Sequence, residues 1–243
     1  MLILALDTTT RAGSLALTRD GNLLEVLVGD GERTHATRLP GDILDCLFRH
    51  ALTLGDVDMY GVAVGPGSFT GLRIGIATVQ GLAFAHNRLI VGVSALDALV
   101  EAAGETPLHD GGTGELRAAW MDAQRGEVYA RLYRREDTAW MPVAAPTVSR
   151  PEEVLGSWRP HVEGKSVVFV GDGALTYASE LEQALGAGVC IVRPVPPLAP
   201  AIAASAARGA LAGLAVSPAG VKPLYVRRPD AELTRERRAG RTP

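Results

Sequence analysis

The sequence predicts an α/β fold of two related halves, each a mixed sheet flanked by helices, and three observations carry that prediction. After an opening meander, apolar runs suited to buried strands alternate with helical periodicities. An acid-ended strand, a polar turn and a returning strand at Asp7 recur at Asp122, a weak internal repeat that would set two halves facing one another across a cleft. Between them lies a segment rich in turn formers, which divides the chain into residues 1–103, a linker over 104–114, a second half over 115–226 and a polar tail over 227–243.

Residues 2–6 form a continuous apolar run ending at Asp7, the pattern of a strand buried on both faces. DTTTRAG turns into a second strand, Ser14 to Thr18, and Asp20 to Asn22 reads as a hairpin before Leu23 to Val28. From about Thr34 to Leu52 the residues Leu39, Ile43, Leu44, Leu47 and Phe48 share one side of a helix, and Pro40 with Gly41 predicts a late start. A buried strand over Gly61 to Val64, the turn GPGSFTG and a helix over Thr70 to Phe84 follow. Leu89 to Val93 makes another strand, and Ser94 caps a helix over Ala95 to Ala103.

The second half opens with a strand from Leu116 to Met121, an AQRG turn, a returning strand over Glu127 to Tyr133 and a further one near Trp140 to Val148. A short helix opens at Pro151 to Leu155, and Ser166 to Val170 is a strand feeding GDGALTY. Helices over Ala174 to Leu185 and Ala199 to Leu214, with a strand over Val189 to Val192 between them, close this half; Lys222 to Val226 reads as an ordered tie-down. The tail, RRPDAELTRERRAGRTP, has no apolar stripe and is expected to be disordered and solvated.

Composition narrows the function. With 47% apolar and 21% charged residues and a net charge of −3, nothing on the whole surface invites nucleic acid, so contact with RNA would have to be local or delivered by a partner. Cys46 and Cys190 stand far apart and outside any C-x-x-C, which points to a reducing compartment. The start, MLILALD, lacks a basic region ahead of its apolar run, and Arg73 interrupts the best candidate membrane span; a cytoplasmic protein is expected.

Candidate chemistry gathers at four places. The helix after GPGSFTG buries Leu72, Ile76, Val79 and Ala83, while Gly71, Gly75 and Thr78 leave a nearly bald stripe. With Gly81, these glycines cost the helix about 2–3 kcal/mol relative to alanine, so something must approach closely. Three readings stay open: tight packing on the chain's own sheet, a flat face offered to a second polypeptide with Arg73, Gln80 and Phe84 at its margin, and a phosphate cradle. The last is weak, because GPGSFTGL lacks the lysine of a P-loop. Asp7 with Thr8, Thr9 and Thr10 stands at a strand end, where such folds bind ligands through magnesium-bound phosphate, or else Asp7 only caps its own turn. Asp172, between Gly171 and Gly173, could line a nucleotide cleft, but a turn needing glycine explains it as well. The histidines His35, His50, His86, His109 and His161 form no metal-binding pair, and Ser68 has no evident base.

ILALDTTTRAGSLAL, GVAVGPGSFTGLRIGIATVQGLAFA, SALDALV, MDAQRGEVYARLY and KPLYVR, in this order across about residues 2–227, resemble the bacterial TsaB (YeaZ) family, and the GPGSFTGLRIG block is highly specific. The resemblance implies an actin-like ATPase (ASKHA) fold of two ribonuclease H-like subdomains. It implies a place in the machinery that attaches threonylcarbamoyl to the adenosine beside the anticodon of tRNA. The catalytic relative there is TsaD, whose metal-binding histidines would fall on Ala95 and Leu99; neither can ligate a metal, so the chain looks like a catalytically silent paralogue. In the family the helix after GPGSFTG pairs with its own copy or with TsaD. This makes Ser68, Phe69, Thr70, Gly71, Arg73, Ile74, Gly75, Thr78, Gln80 and Gly81 the expected partner interface, with Arg73 and Gln80 bonding across the seam. TsaE, a P-loop ATPase, would join the assembly. ATP or ADP with magnesium would belong to the complex, no cofactor being required by this chain alone, and tRNA would be reached indirectly. The alternative is a small-molecule kinase of the same superfamily using Asp7 or Asp172.

Overall fold

The computed structural model describes residues 1–104 and 115–227, so the expected linker and tail, apart from Gly104 and Arg227, lie outside the described residues. Its first sheet has the order β3-β2-β1-β4-β5, built from β1 (Leu2–Asp7), β2 (Ser14–Arg19), β3 (Asn22–Val28), β4 (Met59–Gly65) and β5 (Leu89–Ser94). β1 runs antiparallel to β2 and parallel to β4, and β4 runs parallel to β5. Central β1 is buried along its whole length, which is why it reads as an unbroken apolar run.

Two helices cover one face of this sheet. Leu39, Ile43, Cys46 and Leu47 of α1 (His35–Arg49) and Leu72, Ile76, Val79 and Ala83 of α2 (Phe69–Ala85) pack with Leu4, Leu6, Tyr60 and Val62. α1 does not start late: Thr34 caps it, its hydroxyl accepting from Thr37 N at 3.3 Å, and Pro40 sits inside the helix. Leu44 and Phe48, expected on the buried side, face solvent.

The other face is covered by α3 (Ala95–Ala102) and by α7 (Ala199–Leu211). That placement corrects the assignment of the Ala199 helix to the second half. Ala206 lies where a Cβ on Gly61 would come within 3.0 Å, so α7 sits tightly on β4. Beyond it Val216 pairs with Ile90 of β5, and Leu224 N donates to Val64 O at 2.6 Å. An amphipathic helix carries no mark of which sheet it will cover, and the short loop after the second sheet is enough to carry the chain back.

The second sheet has the order β11-β10-β6-β7-β8, with β9 on β7. It comprises β6 (Leu116–Asp122), β7 (Val128–Glu136), β8 (Ala139–Pro142), β9 (Thr147–Ser149), β10 (Val167–Val170) and β11 (Val189–Ile191). The strand expected near Trp140 to Val148 is thus two short ones. Trp120 centres this core, edge-on to Trp158 at 6.2 Å and to Phe169 at 5.5 Å. Helix α4 (Pro151–Val162) runs well past its predicted end and supplies Val154, Leu155, Trp158 and Val162. The helix predicted from Ala174 is broken at Tyr177 into α5 (Asp172–Thr176) and α6 (Ala178–Leu185). Both sheets show the ribonuclease H-like pattern of an antiparallel meander continued by parallel strands, and together they form the two-lobed actin-like fold.

Candidate functional site

Helix α2 begins at Ser68, whose hydroxyl accepts from Gly71 N at 3.2 Å, and the turn before it is fixed by Ser68 N donating to Thr9 O at 2.9 Å. The bald stripe divides in two. A Cβ added at Gly71 would lie 2.0 Å from Thr8 O, and one at Gly75 2.1 Å from Thr8 Oγ1. Both glycines are therefore sealed under the chain's own Asp7–Thr10 turn, which corrects their placement at a partner interface. Thr78 is half-buried and turns its hydroxyl back to Ile74 O at 2.8 Å. Two expected cross-seam donors are also occupied within the chain. Gln80 Nε2 donates to Pro218 O at 2.8 Å, and Arg73 Nε donates to the Tyr225 hydroxyl at 3.1 Å, its guanidinium lying 4.1 Å over Phe69.

What α2 shows to solvent is a different column: Thr70, Arg73, Ala77, Gly81 and Phe84, all exposed and spaced three or four residues apart. A Cβ added at Gly81 would meet nothing within 4 Å. Of the other predicted interface residues, Ser68 and Phe69 are exposed at the head of the helix, and Ile74 and Gln80 are half-buried at its flank. Ala77 was missed, as was the contribution of α1. Phe84 and Phe48 are each 82% exposed and Leu44 54%, so two helices side by side on one sheet leave large apolar groups in water. The signal was present in the sequence: Leu44 and Phe48 stand one residue, about 100° of helix, beyond the buried column Ile43 and Leu47.

Between the sheets lies a cavity of about 1230 Å³, lined among others by Thr9, Thr10, Gly67, Asp122, Asp172 and Tyr225. Asp7 is 1% exposed and its carboxylate is engaged by its own turn: Oδ1 accepts from Thr9 N at 2.8 Å and Thr9 Oγ1 at 2.6 Å, and Oδ2 from Thr10 Oγ1 at 2.6 Å. Thr8 is buried beneath Gly75 and does not reach the cavity. A Cβ at Gly67 would fall 2.6 Å from Thr9, so the turn before α2 packs directly against the Asp7–Thr10 turn. Asp172 lines the cavity from the second sheet's side, and its Oδ1 accepts from Asp122 N and Gly173 N, each at 2.9 Å. Asp172 is exposed to solvent, yet protein crowding its carboxyl desolvates it enough to push its pKa up, against the two N–H groups and with the Asp122 charge. Asp122 itself is engaged by Gln124, N and Nε2, both at 2.8 Å. The described lining residues include no lysine. To hold a magnesium ion, Asp7 would have to give up bonds to its own turn.

Ala95 and Leu99 of α3, where the resemblance leads one to expect the positions of TsaD's histidines, are 0% and 1% exposed and pack in the core. Among the described residues no three His, Cys, Asp or Glu side chains converge. None of the described helices is long and apolar enough to cross a membrane.

Two ribonuclease H-like lobes with a self-capped phosphate loop and an unobstructed helical face define a class, the actin-like ATPase fold. Comparison with known proteins narrows it. The family model of TsaD, tRNA N6-adenosine threonylcarbamoyltransferase, matches residues 30–221. The tRNA threonylcarbamoyladenosine biosynthesis protein TsaB of Haemophilus influenzae is 32% identical over 76% of this chain and 78% of its own length. The TsaB of Escherichia coli is 37% identical over 63% of this chain, and the match spans 64% of that protein. The structure of YeaZ from Pseudomonas aeruginosa superposes with a TM-score of 0.76, at 32% identity over 92% of this chain and 99% of that one. The chain belongs to the TsaB (YeaZ) family.

Proposed function

We propose that the chain is a non-catalytic subunit that pairs with a TsaD-type partner and activates transfer of the threonylcarbamoyl group to the adenosine beside the anticodon of tRNA. The observation that carries this reading is the outer column of α2, where Ala77 and Gly81 leave the backbone open to a second helix and Phe84 stands 82% exposed. On the same side of the sheet, Leu44 and Phe48 of α1 are exposed as well. The names of the TsaB relatives and the TsaD family match fit the same pathway. In the absence of TsaD the same face would pair two copies of this chain. TsaE joins the assembly, ATP or ADP with magnesium is bound by the complex rather than by this chain, and tRNA is met through the partner in the cytoplasm.

The kinase alternative is not favoured, since the Asp7 carboxylate is spent on Thr9 and Thr10. The deciding experiment is reconstitution of threonylcarbamoyl transfer with purified TsaD and TsaE, with and without this chain. Activity that requires the wild-type chain and is lost with Gly81→Trp supports the reading. Activity indifferent to the chain, or unaffected by Gly81→Trp, overturns it.

A further inference from the structure

The described C-terminal segment, residues 218–227, makes contacts that no part of the pairing face requires. It leaves the 3₁₀ turn Pro218–Gly220 under α2, where Gln80 Nε2 donates to Pro218 O at 2.8 Å and, more weakly, to Val221 O at 3.4 Å. Val221 is 6% exposed and buried in the first lobe's core, and Leu224 N is fastened to Val64 O of β4. Tyr225 then stacks on Phe69 at the head of α2, ring centres 5.4 Å apart, and its hydroxyl accepts from Arg73. Two residues later the chain has crossed to the other lobe. Arg227 Nη1 donates to Ala123 O at 2.7 Å, Nη2 pairs with Glu127, and the guanidinium lies 5.6 Å from the Tyr129 ring.

The receiving end is built to hold still. Gln124 and Arg125 both have φ of +62°, and Asp122 fixes Gln124 through its backbone and its side chain amide, so the turn is held by its own bonds in a left-handed shape. The strap is short: six residues from Val221 to Arg227 span at most about 20 Å when extended. Phe69 and Tyr225 meanwhile remain 42% and 39% exposed beside Arg73, at the end of the outer column of α2.

We propose that this strap is a latch coupling occupancy of the outer face of α2 to the separation of the two lobes. A helix docking on α2 meets the Phe69, Arg73 and Tyr225 stack, and any displacement of Tyr225 is passed along two residues to the grip of Arg227 on the β6–β7 turn. The inference rests on the reading of α2 as a pairing face, and it names the conformational output of that pairing.

The test places nitroxide labels on the full chain through Glu32→Cys and Glu152→Cys, exposed positions on opposite lobes, in a Cys190→Ser background, and measures the distance between them by pulsed electron resonance. In the wild-type background the distribution is expected to be narrow and to shift on addition of purified TsaD-type partner. With Tyr225→Ala and Arg227→Ala together it is expected to broaden and lengthen without partner and to lose the partner-induced shift. Glu127→Gln removes the same ion pair from the other lobe and should reproduce the broadening, so a folding defect at the C-terminus cannot mimic the result. Coincident distributions in wild type and both variants, or a shift that persists unchanged in the variants, overturn the latch, as does a wild-type chain that binds partner without any shift. Pairing is followed on the same samples by sedimentation. A Gly81→Trp chain that still pairs sinks the reading of α2, while broadening by Arg227→Ala would stand independently of it.

Discussion

Gly71, Gly75 and Gly81 lie on one helix and look alike in sequence, but their surroundings give substitutions opposite signs. Alanine at Gly81 gains about 0.8–1 kcal/mol of helix propensity in open space. At Gly71 the same methyl would be driven against the backbone carbonyl of Thr8, 2.0 Å away, and no rotamer relieves that. Overpacking of this kind costs about 1–3 kcal/mol or more, which exceeds the propensity gain. Gly81→Ala should therefore raise the urea midpoint and Gly71→Ala should lower it; midpoints moving in the same direction would show that Thr8 yields. A second residue-scale prediction concerns Cys46. Burial first, then the charge of Glu25 nearby, push its thiol up to about 12. The folded chain then holds a proton that the unfolded chain releases near the ordinary thiol value of about 8.5. The stability this confers is complete below that value and is lost as pH rises toward about 12. Cys46 should resist iodoacetamide at pH 8 in the folded chain and react on unfolding in urea, as read by mass spectrometry; rapid native labelling would contradict the burial.

At the scale of the helix, α2 divides its surface between two lodgings. Leu72, Ile76, Val79 and Ala83 hold it to the sheet, Gly71 and Gly75 admit the Asp7–Thr10 turn, and only the remaining column is left for another chain. The periodicity of the sequence makes the helix and its buried column legible, and the glycines announce a close approach. Whether the neighbour is this chain or another is a matter of what the strand end before Ser14 does in space, and one-dimensional spacing does not contain it. The bonds that Arg73 and Gln80 make within the chain were hidden for the same reason, since their partners, Tyr225 and Pro218, lie more than a hundred residues away. Phe48 and Phe84 give the test of the outer face. Each is 82% exposed, so replacing either with glutamate removes little from the fold. If they anchor the contact, each change should cost pairing about 2 kcal/mol, roughly thirtyfold in affinity, with the melting temperature of the monomer unchanged. Sedimentation equilibrium reads the first and circular dichroism the second. Undiminished pairing in both variants would move the interface elsewhere.

For the whole molecule, the repeat at Asp7 and Asp122 foretold two lobes, but the Ala199 helix and the segment after it, assigned to the second half, return to the first sheet. The lobes are consequently threaded through one another, and a second tie crosses at α3, where Tyr133 of β7 donates to Asp97 and Arg131 Nη1 lies 3.1 Å from the same carboxylate oxygen. Tyr133 is 1% exposed, and burial followed by the Asp97 charge pushes its hydroxyl above the ordinary value, so this proton stays with the tyrosine as a donor. Removing the acceptor strands it. Asp97→Ala should cost about 1–3 kcal/mol, the penalty of an unsatisfied buried hydroxyl, and Tyr133→Phe in the same chain should recover part of that loss. Because α3 packs on β6 as well as on β4 and β5, the wild-type chain should melt in one calorimetric transition. Asp97→Ala should lower its temperature while keeping it single. Two resolved transitions in the wild type would mean that the lobes fold separately and that the Asp97 seam is a contact between finished domains rather than part of their common core.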